Sequence, residues 1–280
     1  MPYGTISHST PTTNSALTKA VTTTTLHKLK GSGEKFVVIS LYDAHMANMA
    51  QRCGVEVVLV GDSLGMTVLG YDSTLPVTME HMIYHVEAVA RGNKKSLIMG
   101  DLPFMTYATP EDAMRNCARI MQAGAHMVKL EGGEWLADTV RMLSERGVPV
   151  CAHLGLTPQS VNKFGGFRVQ GRDQLQADKI LADAKLLEAA GADLVLLECV
   201  PASLAAKITA ELSVPVIGIG AGKDTDAQVL VINDILGLTE QPPKFSKNFL
   251  LETNDIAGAM QKYVADVKAG IFPGEENTFN

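Results

Sequence analysis

Five short apolar runs in this chain each end on a side chain that can bind an ion or move a proton. The run 57–61 ends at Asp62, 96–100 at Asp101, 126–128 at Lys129-Leu130-Glu131, 148–152 at His153 and 194–197 at Glu198. If these runs are neighbouring strands, Asp62, Asp101 and Glu131 converge at three adjacent strand ends. Unpaired carboxylates in a partly dry pocket repel one another. A hard divalent cation resolves that repulsion, and Mg²⁺ commonly binds through a few carboxylates, water and substrate oxygens. The competing reading is three acids that cap helices or pair with bases. Lys129 and Glu131 are two residues apart, so on a strand they point to the same side. A lysine inside a barrel is costly unless it meets an anion. Lys129 could hold a substrate carboxylate, form a Schiff base, or bridge to a neighbouring acid. His153 could hydrogen-bond a substrate oxygen or transfer a proton, unless it is only a satisfied core residue. A carboxylate placed after a run as apolar as 194–197 is partly desolvated, which suits Glu198 to general-base work. Its alternative is to cap the helix that begins near Pro201.

Eight apolar runs in all point to a single architecture. The others are 36–41 ending at Tyr42-Asp43, 215–220, and 229–232 ending at Asn233-Asp234. Continuous Val/Ile/Leu runs read as buried parallel strands. Helical segments lie between most of them, at 44–53, 78–91, 109–124, 134–146, 174–190 and 201–212, with a last helix at 254–268. Thr109-Pro110-Glu111-Asp112 supplies a cap, an N1 proline and two first-turn acids. Alternating β and α elements imply right-handed crossovers. Polar ends on early and late strands alike favour a closed (β/α)8 TIM barrel over an open doubly wound sheet, and barrel chemistry sits at the C-terminal strand ends. Residues 221–228 are too few for a crossover helix, so a single helical turn is expected there. The connections 63–95 and 154–193 are long. The second holds adjacent glycines, Gly165 and Gly166, that could hinge a lid. The short Gly218-Ile219-Gly220-Ala221-Gly222 segment is only a weak phosphate-loop signal, and no Walker motif accompanies it.

The bulk properties narrow the function classes. The chain has 280 residues, 46% of them hydrophobic and 19% charged, which fits one globular domain. A net charge of −6 argues against nonspecific nucleic-acid binding. No apolar stretch approaches the ~20 residues of a membrane span. Cys53, Cys117, Cys151 and Cys199 are scattered, without a CxxC pair. They read as core residues of a protein in a reducing cytoplasm. His81 and His85 lack the acid of an HExxH motif and read as surface or interface residues. The first 33 residues hold no acid and no arginine. A flexible tail over 1–16 is expected, followed by one barrel domain over 17–280 with an N-terminal helix and a C-terminal extension.

Seven blocks of residues together carry a resemblance: 60–66 (Val-Gly-Asp-Ser-Leu-Gly-Met), 69–78, 101–105 (Asp-Leu-Pro-Phe-Met), 129–133 (Lys-Leu-Glu-Gly-Gly), 153–159 (His-Leu-Gly-Leu-Thr-Pro-Gln), 197–201 (Leu-Glu-Cys-Val-Pro) and 215–222. The chain resembles the 3-methyl-2-oxobutanoate (ketopantoate) hydroxymethyltransferases over about residues 17–278. The resemblance implies a barrel of the phosphoenolpyruvate/pyruvate-like superfamily. It implies transfer of a one-carbon unit from 5,10-methylenetetrahydrofolate to 3-methyl-2-oxobutanoate, giving 2-dehydropantoate. By the resemblance, Asp62, Asp101 and Glu131 match the Mg²⁺ site, directly or through water. Asp62, Ser63, Asp101 and Lys129 match the keto-acid site, with His153 nearby, and Glu198 matches the proton acceptor. A homo-oligomer, a decamer built as a pentamer of dimers, is also implied. Three rival readings remain: a Schiff-base aldolase using Lys129, a metal-dependent C–C lyase of the isocitrate-lyase-like group, and a noncatalytic keto-acid binder.

Overall fold

The computed structural model describes residues 16–280. The tail expected over 1–16 therefore lies, except for Ala16, outside the described residues. Eight parallel strands close in sequence order into one barrel: β1 (Phe36–Ser40), β2 (Val57–Val60), β3 (Leu97–Asp101), β4 (Met127–Glu131), β5 (Val150–Gly155), β6 (Leu194–Glu198), β7 (Val216–Ile219) and β8 (Ala227–Val231). The strands are buried almost throughout, which is why they read as unbroken apolar runs rather than alternating ones.

Local sequence signals account for the surrounding helices. An N-terminal helix, Thr23–Ser32, has Thr22 as its cap. Asp43, which follows the first apolar run, caps the helix Ala44–Arg52 through bonds from the His45 and Met46 amides. Thr78 caps Met79–Gly92, and Thr109 with Pro110 starts Pro110–Gln122. The segment expected as a helix from Glu134 opens with a 3₁₀ turn, Glu134–Leu136, before the α-helix Ala137–Glu145. Gly147 ends that segment with φ +80°, a left-handed conformation that glycine adopts without strain.

Two expectations fail at the closing seam. Residues 220–226 join β7 to β8 through turns and bends, with no helical turn. The single turn of helix comes later, at Ile232–Ile235, and β8 starts two residues before the apolar run 229–232. Asp234 thus sits on that short helix and not on the strand. The physical reason is tight packing. A Cβ at Gly218 would lie 2.7 Å from the Thr225 hydroxyl, and Gly220 and Gly222 have φ of +58° and +75°. The small residues of this segment serve close approach of backbone.

His85 is partly buried against the Tyr42 carbonyl at 2.8 Å, and His81 completes the cap at Thr78. Neither faces a metal-like cluster. All four cysteines are free and buried. No helix among the described residues is long and apolar enough to cross a membrane.

Candidate active site

The barrel register brings the predicted side chains together. Asp101 pairs with Lys129 across β3 and β4, Glu131 with His153 across β4 and β5, and Gly155 with Glu198 across β5 and β6. Neighbouring strand tips therefore present an acid, a base, an acid, a histidine and an acid around one arc. All of Asp62, Ser63, Asp101, Lys129, Glu131, His153 and Glu198 line one cavity of about 570 Å³. Except for Ser63 and Glu198, these side chains are at most 4% exposed.

Lys129 is the hub. Its Nζ lies 2.8 Å from Asp101 Oδ1 and 3.5 Å from Glu131 Oε1. His153 Nδ1 is 3.2 Å from the same ammonium and 3.3 Å from Glu131 Oε1, while His153 Nε2 is 3.3 Å from Glu198 Oε2. Burial alone would pull the Lys129 ammonium down, but Asp101, Glu131 and Asp62 outweigh it and hold the lysine charged, well above its usual value. The same contest raises His153. Burial and the Lys129 charge lower its pKa, Glu131 and Glu198 raise it, and the result is about 9. Burial would lift Glu131, yet Lys129 and His153 prevail and keep it below the ordinary carboxylate range.

Asp62 is left out of this settlement. Burial, then the charges of Asp101 and Glu131, push its carboxyl well above the ordinary range. Burial also raises Asp101, with Lys129 opposing. Among the described residues no cation forms an ion pair with Asp62. Its Oδ2 accepts instead from Gln159 Nε2 at 2.8 Å, and its amide donates to Asp101 Oδ2 at 3.0 Å. Two buried polar atoms face the cavity without an aligned hydrogen bond: Asp101 Oδ1, despite its nearness to Lys129, and His153 Nε2. These are the marks of a site finished by something other than protein. No three His, Cys, Asp or Glu side chains among the described residues form a ready-made ion cage. Mg²⁺ does not need one, because it keeps water and substrate oxygens as ligands beside one or two carboxylates. The crowding of Asp62 by the charges of Asp101 and Glu131, with no cation paired to it among the described residues, fits such an ion.

Gln159 was not among the expected site residues and proves central. It is 6% exposed, on the 3₁₀ turn Pro158–Ser160 that follows β5. Its amide N–H donates to Glu131 Oε2 at 3.0 Å, and its side chain donates to Asp62 and to the Leu102 carbonyl. Tyr107 Oη donates to Gln159 Oε1 at 2.5 Å, which fixes the orientation of the amide. One loop residue thus ties β2 to β4. Its sequence signal was its place at the end of the block 153–159, one of those that carry the resemblance.

Glu198 is set by its backbone. Its carbonyl accepts from Leu156 N at 2.8 Å, and a Cβ at Gly155 (φ +89°) would come within 2.3 Å of that oxygen. Cys199, next in the chain, is held at φ +47° by bonds from its N–H to Ile219 and from Gln170 to its carbonyl. A non-glycine residue in that region is strained, and such strain collects where side chains must be aimed. Tyr42 Oη lies 2.8 Å from Ser63 Oγ, so the tip of β1 braces the loop after β2.

Comparison with known proteins identifies the lineage of this site. The sequence profile of ketopantoate hydroxymethyltransferase matches residues 20–275. The chain belongs to the ketopantoate hydroxymethyltransferase family. It is similar to the 3-methyl-2-oxobutanoate hydroxymethyltransferase of Saccharophagus degradans, with 73% identity over 267 residues that cover 95% of this chain and 99% of the relative. The Marinobacter nauticus protein of the same name is 60% identical, covering 93% and 99%. As a ketopantoate hydroxymethyltransferase family member the chain is an enzyme, a transferase. Among solved structures, phosphonopyruvate hydrolase superposes with a TM-score of 0.59 at 13% identity, covering 78% of this chain and 84% of that one. A 2,3-dimethylmalate lyase of the PEP mutase/isocitrate lyase superfamily gives 0.54 at 16% identity, covering 74% and 80%. These two likenesses concern the fold alone, and they agree with the barrel class expected from the strand pattern.

Proposed function

We propose that the enzyme forms 2-dehydropantoate by moving a one-carbon unit from 5,10-methylenetetrahydrofolate to C3 of 3-methyl-2-oxobutanoate through an enolate. One observation carries this reading: a charged lysine and a cluster of carboxyl groups share a cavity with a separate carboxylate, Glu198, on the next strand but one. Lys129 and protonated His153 give the keto acid's negative oxygens two buried donors. Glu198, on the far side of His153, is placed to take the C3 proton. C3 then attacks the methylene carbon of the donor. One C–C bond forms, the two C–N bonds to that carbon are replaced, water supplies the hydroxyl oxygen, and tetrahydrofolate leaves with the protons.

Asp62, Asp101 and Glu131 would hold Mg²⁺, directly or through water. When bound, the ion acts as a Lewis acid on the keto carbonyl and offsets the charge that develops on its oxygen. Gln159 and Tyr107 keep Asp62 and Glu131 oriented for that task. Four free, buried cysteines accord with action in the cytoplasm. Exposed Tyr84, Met105 and Trp135 leave apolar surface for the homo-oligomer, a decamer, that the resemblance implies.

Metal removal tests the reading against a Schiff-base mechanism. With EDTA, exchange of the keto acid's C3 hydrogen into D₂O should stop, and added Mg²⁺ should restore it. Borohydride should leave no adduct on Lys129. Exchange that persists in EDTA together with a trapped lysine adduct would replace the metal-assisted enolate by an iminium mechanism.

A further inference from the structure

The cavity has two unlike halves. The side lined by β2 to β5 carries the carboxylates, Lys129 and His153. The side lined by β6 to β8 and the C-terminal segment is more apolar, with Ile219, Val229, Val231, Phe245 and Phe279 among its walls beside the polar Asp234, Thr239, Gln241 and Lys244, and Glu198 stands at the seam. A five-carbon keto acid needs only the first half, and the whole volume is that of a pocket for a larger ligand.

The apolar half is built, not incidental. The C-terminal segment is strapped to the barrel rim: Ala202 N donates to the Phe279 carbonyl at 3.0 Å and Lys244 Nζ to the Thr278 carbonyl at 2.6 Å. The same ammonium lies 5.2 Å from the Phe279 ring centre. Gly220 lets both rings settle over the end of β7, since a Cβ there would be 3.0 Å from Phe279 and 3.1 Å from Phe245.

One acidic group in this half has no task in the chemistry described above. Asp234 lines the cavity and is 7% exposed. Its Oδ1 accepts from the Thr239 hydroxyl at 2.5 Å, and no other hydrogen bond or ion pair reaches its carboxyl among the described residues. The second carboxyl oxygen is left free to accept from a group that enters the cavity. Burial alone raises its pKa, with only the Thr239 bond opposing.

We propose that Asp234 is the recognition residue for the pteridine ring of the one-carbon donor, with Phe245 and Phe279 as the apolar wall beside the ring. The chemistry matches on both counts. The 2-amino-4-oxopteridine edge presents two adjacent N–H donors, the complement of a carboxylate that still has a free oxygen. The remainder of the ring is flat and weakly polar. A donor seated there lies across the Glu198 seam from the keto acid, on the side from which its methylene carbon can meet C3. The inference rests on the folate-dependent reading above and deepens it.

The test is equilibrium binding of tetrahydrofolate to the full-length protein with Mg²⁺ and 3-methyl-2-oxobutanoate present. Asp234→Asn should weaken tetrahydrofolate roughly 10- to 100-fold, the worth of a charge-assisted hydrogen bond, while keto-acid affinity stays the same. The 2-desamino-2-methyl analogue should bind wild type as poorly as tetrahydrofolate binds the variant, and the variant should not distinguish the two ligands. If Asp234→Asn does not fold, the ligand comparison on wild type decides alone. Equal binding of both ligands by wild type, or undiminished tetrahydrofolate affinity in the folded variant, overturns the assignment of Asp234. Wild type that binds no tetrahydrofolate overturns the donor itself, and the inference with it.

Discussion

Glu198→Gln is expected to slow 2-dehydropantoate formation roughly 10²- to 10⁴-fold, the usual contribution of a positioned general base. The substitution is isosteric. An amide of the same shape can still sit beside His153 Nε2, 3.3 Å from the present carboxylate, and the backbone bonds that aim the side chain, from Leu156 and through Cys199, are untouched. On the proposed reading Lys129 and His153 hold the keto acid, so its affinity should not change. The loss should therefore appear in kcat and kcat/KM alike, as for an interaction made only in the transition state. Deuterium exchange at C3, followed by NMR without the folate donor, isolates the step. Exchange at the wild-type rate in this variant would sink the assignment of Glu198 as base.

Lys129→Met should damage stability and binding together. Asp101 and Glu131 are buried against this one ammonium, and removing one partner of a buried ion pair typically costs about 3–5 kcal/mol. For a chain of this size that is a drop in melting temperature on the order of 10 °C. The sign of the pH dependence is specific. In wild type Glu131 has a lowered pKa, so its pairing stabilises the fold above the ordinary carboxylate pKa and is lost as pH falls through the depressed one. The variant lacks that contribution, and its carboxyl groups need no cation once protonated. The gap between wild type and Lys129→Met, measured by thermal unfolding in metal-free buffer, should therefore narrow with acid. Keto-acid affinity should collapse at neutral pH. A variant as stable as wild type that still binds the keto acid would show that Lys129 is not the hub of the site.

Much of this site could be read from the chain because barrel geometry converts sequence position into spatial position. A residue that closes a buried parallel strand must face the C-terminal mouth, so Asp62, Asp101, Lys129, Glu131, His153 and Glu198 were found one strand at a time. The two-residue spacing of Lys129 and Glu131 even placed them on one face. Three other features lie beyond that logic. Gln159 acts from a turn, where no periodicity says which way a side chain points, and its partners are 28 and 97 residues away. Phe279 joins the cavity wall because the end of the chain returns to β7, a contact no local pattern encodes. Asp234 was placed at a strand end by the apolar run 229–232, but Ile232 belongs to the following helix. The expected helical turn between β7 and β8 failed for a related reason. Chain length excluded a long crossover, but the close packing of Gly218 against Thr225 left no room even for one turn.

The assignment as a whole is tested most directly by product formation from the two proposed substrates. Purified protein supplied with Mg²⁺, 3-methyl-2-oxobutanoate and 5,10-methylenetetrahydrofolate should yield 2-dehydropantoate and tetrahydrofolate in equal amounts, and nothing when the folate donor or the metal is left out. Keto-acid consumption by C–C cleavage without the donor, or no 2-dehydropantoate from the complete mixture, would contradict the account.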